Sequence, residues 1–325
     1  MGESLGIKKR GDMGYFYGPV PSRRLGFSLG VDLMSEKTCS FSCIYCQLGF
    51  SKKRTTRRFE CVNLNSFKHE FKEILKHKKH IDYVTISGSG EPTLHKNLDK
   101  IISAIKTISH NKYQVCVITN SSLLYRRQVR QELKQADLII PSLDSAVPAT
   151  FRKINRPCKS IQFEKVLTGL TALRKEFKGK IWLEVMLLKG INDSLREAQA
   201  MQKAVNLIKP DRIHLNLPVR PPAKKVLSPS KKNIERFRKV VGDTASVPFN
   251  RGKNIELKRF DPNLAEQILS YIARRPATVK DLASVFGCGV KKIENFLLLL
   301  LHNCRIREII RGKKKHYILN DKRKR

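Results

Sequence analysis

Cys39-x3-Cys43-x2-Cys46 packs three thiols into eight residues. Three thiolates in one loop can converge on a cubane cluster and leave its fourth iron without a protein ligand, which makes that iron a site for chemistry. Ferredoxin clusters take four cysteines and zinc sites take four Cys or His ligands, so three with no nearby fourth argue against both. A zinc completed by a distant His or Cys is the plainer alternative. Downstream, Ser87-Gly88-Ser89-Gly90-Glu91-Pro92 reads as a glycine turn where a backbone can approach another group closely. Alone, such a turn is as much a tight turn as a ligand site. Between the two motifs, Ser51-Lys52-Lys53-Arg54-Thr55-Thr56-Arg57-Arg58 sets five positive charges beside the cysteine loop. It would attract phosphates, which arginine holds in bidentate fashion, unless it is a solvated charged loop. Arg23 and Arg24 would line the same mouth.

The elements that must carry these residues repeat one rhythm from Tyr15 to about Arg220: a β-branched apolar run, a polar loop, then an amphipathic stretch. Strands are expected at 28–33, 83–87, 114–119, 138–142, 180–188 and 212–217, and helices at 64–76, 97–109, 127–136, 163–176 and 194–208. Alternation of this kind implies parallel βαβ units. The fold expected is α/β, a partial (β/α)6 TIM-type barrel with its chemistry at the C-terminal ends of the strands. Thr119-Asn120, Ser142-Leu143-Asp144 and Asn192-Asp193 fall at those ends, although Asn, Asp and Ser are also ordinary turn residues. Glu184 and Cys158 would lie near the site, where structural roles suit them equally.

The rhythm breaks at Arg220-Pro221-Pro222. The domains expected are a basic N-terminal tail at 1–14, the barrel at 15–225, a linker at 226–260 with helix around 233–241, a small module at 261–320 and a basic tail at 321–325. Helical spacing at Leu264, Ile268, Leu269 and Ile272, a Thr278 helix start, a Gly287-Cys288-Gly289 turn, a third helix at 290–302 and a hairpin make that module a winged helix-turn-helix. Lys291, Lys292 and Asn295 on its third helix and Arg305, Arg307, Arg311, Lys313, Lys314 and Lys315 on its hairpin form a second basic surface. The run Leu297–Leu301 is expected to be largely buried, leaving the first turn of that helix free.

The 325 residues carry 65 Lys+Arg against 28 Asp+Glu, a formal charge of +37, which repels itself unless a polyanion neutralises it. That points to nucleic acid, although an organism with uniformly basic proteins would give the same balance. No apolar run of about 18 residues appears, nor a signal-peptide stretch in Met1–Asp12, so a soluble cytoplasmic protein is expected. Cys61, Cys116, Cys158, Cys288 and Cys304 are scattered and read as buried thiols.

With aromatic Tyr45 before its last cysteine, the Cys39-x3-Cys43-x2-Cys46 motif resembles the signature of the radical S-adenosylmethionine (SAM) superfamily. The resemblance implies a 4Fe–4S cluster on Cys39, Cys43 and Cys46, with SAM chelating the fourth iron. It also implies one-electron cleavage of SAM to a 5′-deoxyadenosyl radical that abstracts a substrate hydrogen. Ser87–Pro92 stands where the family has its Gly-Gly-Glu motif, with Ser89 in place of a glycine, which implies that Gly90, Glu91 and, more weakly, Gly88 meet the methionyl end of SAM. Asn120 and Ser142 would touch its ribose or adenine. Gly18-Pro19-Val20-Pro21-Ser22-Arg23-Arg24-Leu25-Gly26, Asn155-Arg156-Pro157 and Arg220-Pro221-Pro222 resemble segments of an uncharacterised Fe–S oxidoreductase branch, some of whose members share a winged-helix tail.

Charge and resemblance together predict a radical SAM enzyme that modifies RNA, tRNA above all, with an electron donor such as ferredoxin or flavodoxin and no membrane partner. Radical modification of a protein or peptide is the rival, because winged-helix-like modules in some radical SAM enzymes bind leader peptides. A DNA-binding Fe–S regulator is the alternative from another class. A second cysteine group of cluster spacing is absent from the sequence, which disfavours an auxiliary cluster and the sulfur insertions that consume one.

Overall fold

The structure is a computed structural model that describes residues 14–248 and 264–320, apart from Arg23, Ser35, Lys52, Lys78, Lys79, Gly312 and Lys313. Residues 1–13 of the expected N-terminal tail, 249–260 of the expected linker and the tail at 321–325 lie outside the described residues.

The chain begins with a hairpin, β1 (Phe16–Ser22) and β2 (Gly26–Val31), followed by the short pair β3 (Thr38–Cys39) and β4 (Lys53–Arg54). Then come α1 (Leu64–His77), β5 (Tyr83–Ile86), α2 (Leu98–Ile108), β6 (Gln114–Thr119), α3 (Arg127–Glu132), β7 (Leu138–Pro141), α4 (Pro148–Asn155), α5 (Phe163–Glu176), β8 (Lys180–Met186), α6 (Leu195–Ile208), β9 (Arg212–Asn216), α7 (Lys231–Val241) and β10 (Ala245–Ser246). The main sheet has the order β1-β2-β5-β6-β7-β8-β9-β10, with only β1 antiparallel. Six parallel strands, β2 and β5 to β9, form the expected partial barrel. Their β-branched sequences suit strands covered on both faces.

Besides the short pair β3 and β4, two strands of the main sheet, β1 and β10, were not expected. β1 contains Pro19 and Pro21, which an edge strand tolerates because its outer N–H groups need no ladder partner. The segment from 226 to 246, expected as a connector, belongs to the barrel. Amphipathic α7 buries Phe237 and Val241, and β10 pairs with β9 through Ala245↔Ile213. The helix α4, also unexpected, starts with Pro148 in the first turn, where a missing N–H costs nothing.

Side-chain alternation separates core from lumen. On β8, Ile181, Leu183 and Val185 pack with the helices in the main core. Trp182 instead joins Cys116, Leu138, Ile140 and Leu25 in a small cluster on the inner face, closed by the β1–β2 turn.

The C-terminal module consists of α8 (Leu264–Arg274), α9 (Val279–Phe286), α10 (Val290–His302) and a hairpin, β11 (Ile306–Arg311) and β12 (Lys314–Leu319). These are the three helices and hairpin expected, in that order. Thr278 and Asp281 cap α9 reciprocally, and Gly287 ends it in a left-handed conformation. The leucine run is not wholly buried: Leu297 and Leu300 face the core, while Leu298 and Leu299 are 63% and 53% exposed. Five consecutive leucines cover more than a helical turn, so some must point outward. Cys304 is exposed rather than buried, and Cys61, Cys158 and Cys288 are half-buried. The module packs on β1, whose Val20 joins its core. Among the described residues, no helix is long and apolar enough to cross a membrane.

Candidate cluster and cofactor site

The cysteine loop leaves the C-terminal end of β2 and is pinned on several sides. Cys39 lies in β3, paired with Arg54 of β4. The backbone N–H groups of Ser42 and Ile44 donate to Asn155 O and Ile154 O at 3.0 and 2.9 Å, so the end of α4 acts as a brace. The loop's apolar side chains, Phe41 and Ile44, are buried.

Each of the three sulfurs meets a side-chain nitrogen. Asn120 Nδ2 lies 3.3 Å from Cys39 Sγ, Asn155 Nδ2 lies 3.4 Å from Cys43 Sγ and Lys37 Nζ lies 3.2 Å from Cys46 Sγ. The N–H of Phe41 adds a fourth donor, 3.4 Å from Cys39 Sγ. Burial, with Glu91 nearby, pushes the Cys39 thiol up to about 12, and burial with Asp144 nearby also raises Cys43. The three sulfurs are near enough for their charges to interact. Yet among the described residues no three His, Cys, Asp or Glu side chains gather around one point that a single metal ion could fill. Donors aimed at sulfur suit a cluster whose thiolates need their charge dispersed. Asn155 Oδ1, on a residue 2% exposed, has no partner and offers an acceptor beside Cys43 to a molecule bound at the cluster.

The glycine turn follows β5. A Cβ on Gly90 would overlap Thr38 O, and one on Gly88 would overlap the Asp32 carboxyl, so the turn packs directly against the start of the cysteine loop. Glu91 is buried and its carboxylate is fully engaged. Oε1 accepts from Thr93 N, Thr93 Oγ1 and Thr119 Oγ1 at 3.1, 2.7 and 2.6 Å, and Oε2 accepts from Asn120 N at 2.7 Å. Glu91 therefore fastens the glycine turn to the end of β6 and aims Asn120 at Cys39. Burial raises its pKa, and those donors oppose the shift. Ser142 continues β7, its N–H donating to Thr119 O at 2.9 Å and its carbonyl accepting from Ser121 Oγ at 2.8 Å.

Asn192 and Asp193 hold loops together. Asn192 is 1% exposed and donates to Asp144 O and Met186 O at 2.6 and 2.8 Å, while Asp193 accepts from Gly190 N and Asn233 Nδ2 at 2.8 and 2.9 Å. Asp144 accepts from Tyr45 Oη at 2.7 Å and from Asn155 Nδ2 at 2.5 Å, which ties the last helical turn of α4 to the cysteine loop. Burial pushes Asp144 up to about 6 against those hydrogen bonds. Lys37 as a partner of Cys46 carries no motif, although it stands two residues before Cys39; Asp144 and Asn155 fall in segments the sequence singled out, but their contacts with the cysteine loop come from the fold.

Arg24 is not at the basic mouth. It enters the barrel from the β1–β2 turn and pairs with Glu184, at 16% and 17% side-chain exposure. Burial would raise Glu184, but Arg24 holds it below the usual carboxylate range. His214, paired in register with Glu184, is pushed down to about 4 by burial, with Arg24 adding. His214 Nδ1 and Asn216 Oδ1 are buried without partners. Arg23 lies outside the described residues.

The basic run divides into distinct roles. Arg58 is buried, donating to Thr93 O at 2.9 Å and His95 O at 2.6 Å and pairing with Glu132. Arg54 and Arg57 are exposed. Lys52 and the side chain of Lys53 lie outside the description. Two clefts, of about 560 and 380 Å3, meet at Thr56. The first is lined by Arg54, Thr55, Cys158, Lys159 and Ser160, the second by Arg57, Arg58, Lys96, Arg126 and Gln128. Among the described residues, Arg54, Arg57, Lys96, Arg126 and Lys159 form no ion pair. Beside the cysteine loop, the Arg156 guanidinium lies 4.6 Å from the centre of the Phe50 ring, which is 42% exposed.

The family model described as "Radical SAM superfamily" matches residues 37–200. A UPF0026 protein of Methanocaldococcus jannaschii is 33% identical over 267 residues, covering 80% of this chain and 82% of that one. A protein named GTPase Obg of Brachyspira hyodysenteriae is 40% identical over 297 residues, 90% of this chain, but this chain spans only 43% of it. A probable dual-specificity RNA methyltransferase RlmN of Thermotoga petrophila is 26% identical over 239 residues, 69% of this chain and 65% of that one. Among solved structures, a radical SAM methyltransferase from Sphaerobacter thermophilus shares the fold at a TM-score of 0.51 and 19% identity, covering 70% of this chain and 68% of that one.

Proposed function

Because the chain belongs to the radical SAM superfamily, we propose that it is an enzyme that modifies a structured RNA, tRNA above all, at an unreactive carbon. Proteins of this superfamily bind a 4Fe–4S cluster and SAM, and when bound the pair supplies a one-electron cleavage that yields a 5′-deoxyadenosyl radical. Cys39, Cys43 and Cys46 would hold the cluster; Gly88, Gly90 and the open acceptor of Asn155 would face SAM, and Glu91 would keep Asn120 in place. The protein's own work is to bind, orient and exclude water.

The observation that carries the RNA reading is the double cleft at Thr56. Its five cations, which form no ion pair among the described residues, start one β-pair away from Cys39, since Arg54 is the register partner of that residue. Such a groove follows a phosphate backbone, and an exposed ring with a stacked guanidinium, as at Phe50 and Arg156, suits a splayed base. The likeness to an RNA methyltransferase points the same way. A protein substrate is favoured by a different feature, the exposed Leu298 and Leu299 of the C-terminal module, where a partner's apolar surface would dock.

The test is anaerobic reconstitution with SAM and a one-electron reductant, with 5′-deoxyadenosine quantified with and without bulk tRNA and with Cys39→Ala, Cys43→Ala and Cys46→Ala as controls. Cysteine-dependent cleavage that rises with tRNA supports both halves of the proposal. Cleavage indifferent to tRNA moves the substrate to proteins. No cleavage by a fully loaded protein removes the enzyme reading and leaves a regulator.

A further inference from the structure

The turn proposed to face SAM is held from behind by the C-terminal module. Arg274, the last residue of α8, has a side chain 6% exposed although it sits where two domains meet. Its Nη2 donates to Gly14 O at 2.9 Å and its Nη1 to Ser270 O at 2.9 Å. Its Nε lies 3.3 Å from Asp32 Oδ2, an ion pair without the alignment of a hydrogen bond, and its guanidinium lies 5.0 Å from the centre of the Tyr17 ring.

Both Asp32 and Tyr17 reach the turn. Asp32 Oδ2 accepts from Ser89 Oγ at 2.6 Å, and the Asp32 carboxyl fills the space beside Gly88. Asp32 Oδ1 accepts from Met34 N at 3.1 Å, and Met34 packs against Gly90. The Tyr17 hydroxyl lies 3.2 Å from Ser87 Oγ. One arginine of the module thus reaches Ser87 through Tyr17, Gly88 and Ser89 through Asp32, and Gly90 through Asp32 and then Met34. A buried carboxylate such as Asp32, 3% exposed, is stable only with its counter-charge in place.

We propose that Arg274 is a positioning residue for the cofactor: its seat against Asp32 and Tyr17, where the C-terminal module docks on β1, holds the 87–90 turn in its SAM-binding shape, so that this one contact of the module sets SAM affinity. The proposal rests on the reading of that turn as a SAM contact. It makes the module a part of the cofactor site, and a partner that shifts the module would be felt at the cluster.

The experiment uses full-length reconstituted protein, with iron and sulfide per chain, thermal melting and the SAM dissociation constant from equilibrium dialysis. SAM-induced change in the EPR signal of the reduced cluster is a second readout. Arg274→Ala is expected to keep its iron while binding SAM about tenfold more weakly, the equivalent of one hydrogen bond's worth of positioning. Arg274→Lys, which keeps a charge beside Asp32 but loses the fork to Gly14 and Ser270, falls between. Tyr17→Phe, the mildest cut, weakens SAM by about two- to fivefold. Arg311→Ala removes a separate anchor of the module, to Arg220 O and Val226 O at 2.7 and 2.8 Å, and leaves SAM affinity within about twofold.

Unchanged SAM affinity in loaded Arg274→Ala overturns the proposal, as does equal weakening in Arg274→Ala and Arg311→Ala, which would mean general loosening. A loaded wild-type protein with no affinity for SAM overturns the cofactor reading and this proposal with it, so the two failures are distinct. If Arg274→Ala does not fold, an unchanged Tyr17→Phe decides against the relay.

Discussion

Asn120 donates its side-chain amide to Cys39 Sγ at 3.3 Å while its backbone N–H is fixed to Glu91 Oε2 at 2.7 Å. The sulfur's hydrogen bond therefore depends on a carboxylate in another loop. Donors to cluster sulfurs favour the reduced, more negative state. Asn120→Leu, of similar volume but no donor, is expected to lower the cluster's reduction potential by tens of millivolts, a fraction of the ~1.5–3 kcal/mol in a hydrogen bond to a charged group. A potentiometric titration followed by EPR measures it, and an unchanged potential would show that the contact does not persist in the loaded protein.

Glu91→Gln tests the fastening itself. Its two oxygens accept four hydrogen bonds in a buried site, and an amide group would set an N–H against an N–H or a hydroxyl at one end. The expected cost is about 1–3 kcal/mol in urea unfolding, with loosened cysteine geometry read as lower iron retention. Full stability and full iron loading would assign Glu91 a role other than fastening.

The barrel was legible because its signal is local: alternating apolar runs of period two and amphipathic runs of period 3.6, as in β6 and α5, whose bounds coincide with expectation. The cysteine motif was legible for the same reason. Long-range features were not. β1 hides behind two prolines that only an edge position permits, and β10 is two residues long. Arg24 looked like a partner of Lys52–Arg58 by charge, yet the hairpin turn carries it into the barrel to Glu184. A charge run does not announce which of its members will be buried.

Arg57 and Arg58 make that last point measurable. They are neighbours in sequence, but Arg57 lines the cleft in the open and Arg58 is buried against Glu132, which also accepts from Leu98 N at the start of α2. Arg57→Ala is expected to weaken tRNA binding and reduce its salt dependence by roughly one phosphate, with stability within about 0.5 kcal/mol of wild type. Arg58→Ala strands a buried carboxylate and should cost about 3–5 kcal/mol. Filter binding over a salt series and urea unfolding of both variants separate the roles. Equal effects on binding, with both proteins stable, would contradict the structure.

His95 lies behind the same arginine and gives the fold a pH dependence of definite sign. The residue is 3% exposed, its Nδ1 accepts from Cys61 N at 3.1 Å, and burial, helped by the Arg58 charge, pushes its pKa down to about 4. In the unfolded chain it titrates near 6.5, so the unfolded state takes up its proton first as pH falls. The stability held by neutral His95 is complete above about pH 6.5 and is lost progressively toward pH 4, a total of order 3 kcal/mol. His214, pushed to about 4 by burial, acts in the same direction, so the wild-type profile sums both. Replacing His95 with Gln keeps an acceptor for Cys61 N and removes one titration. Urea unfolding at intervals between about pH 7 and 5 should then show a shallower decline for His95→Gln than for wild type, by up to one proton in slope. Parallel profiles would mean that His95 takes up its proton in the folded protein over the same range as in the unfolded chain and that its ring is not sealed from water.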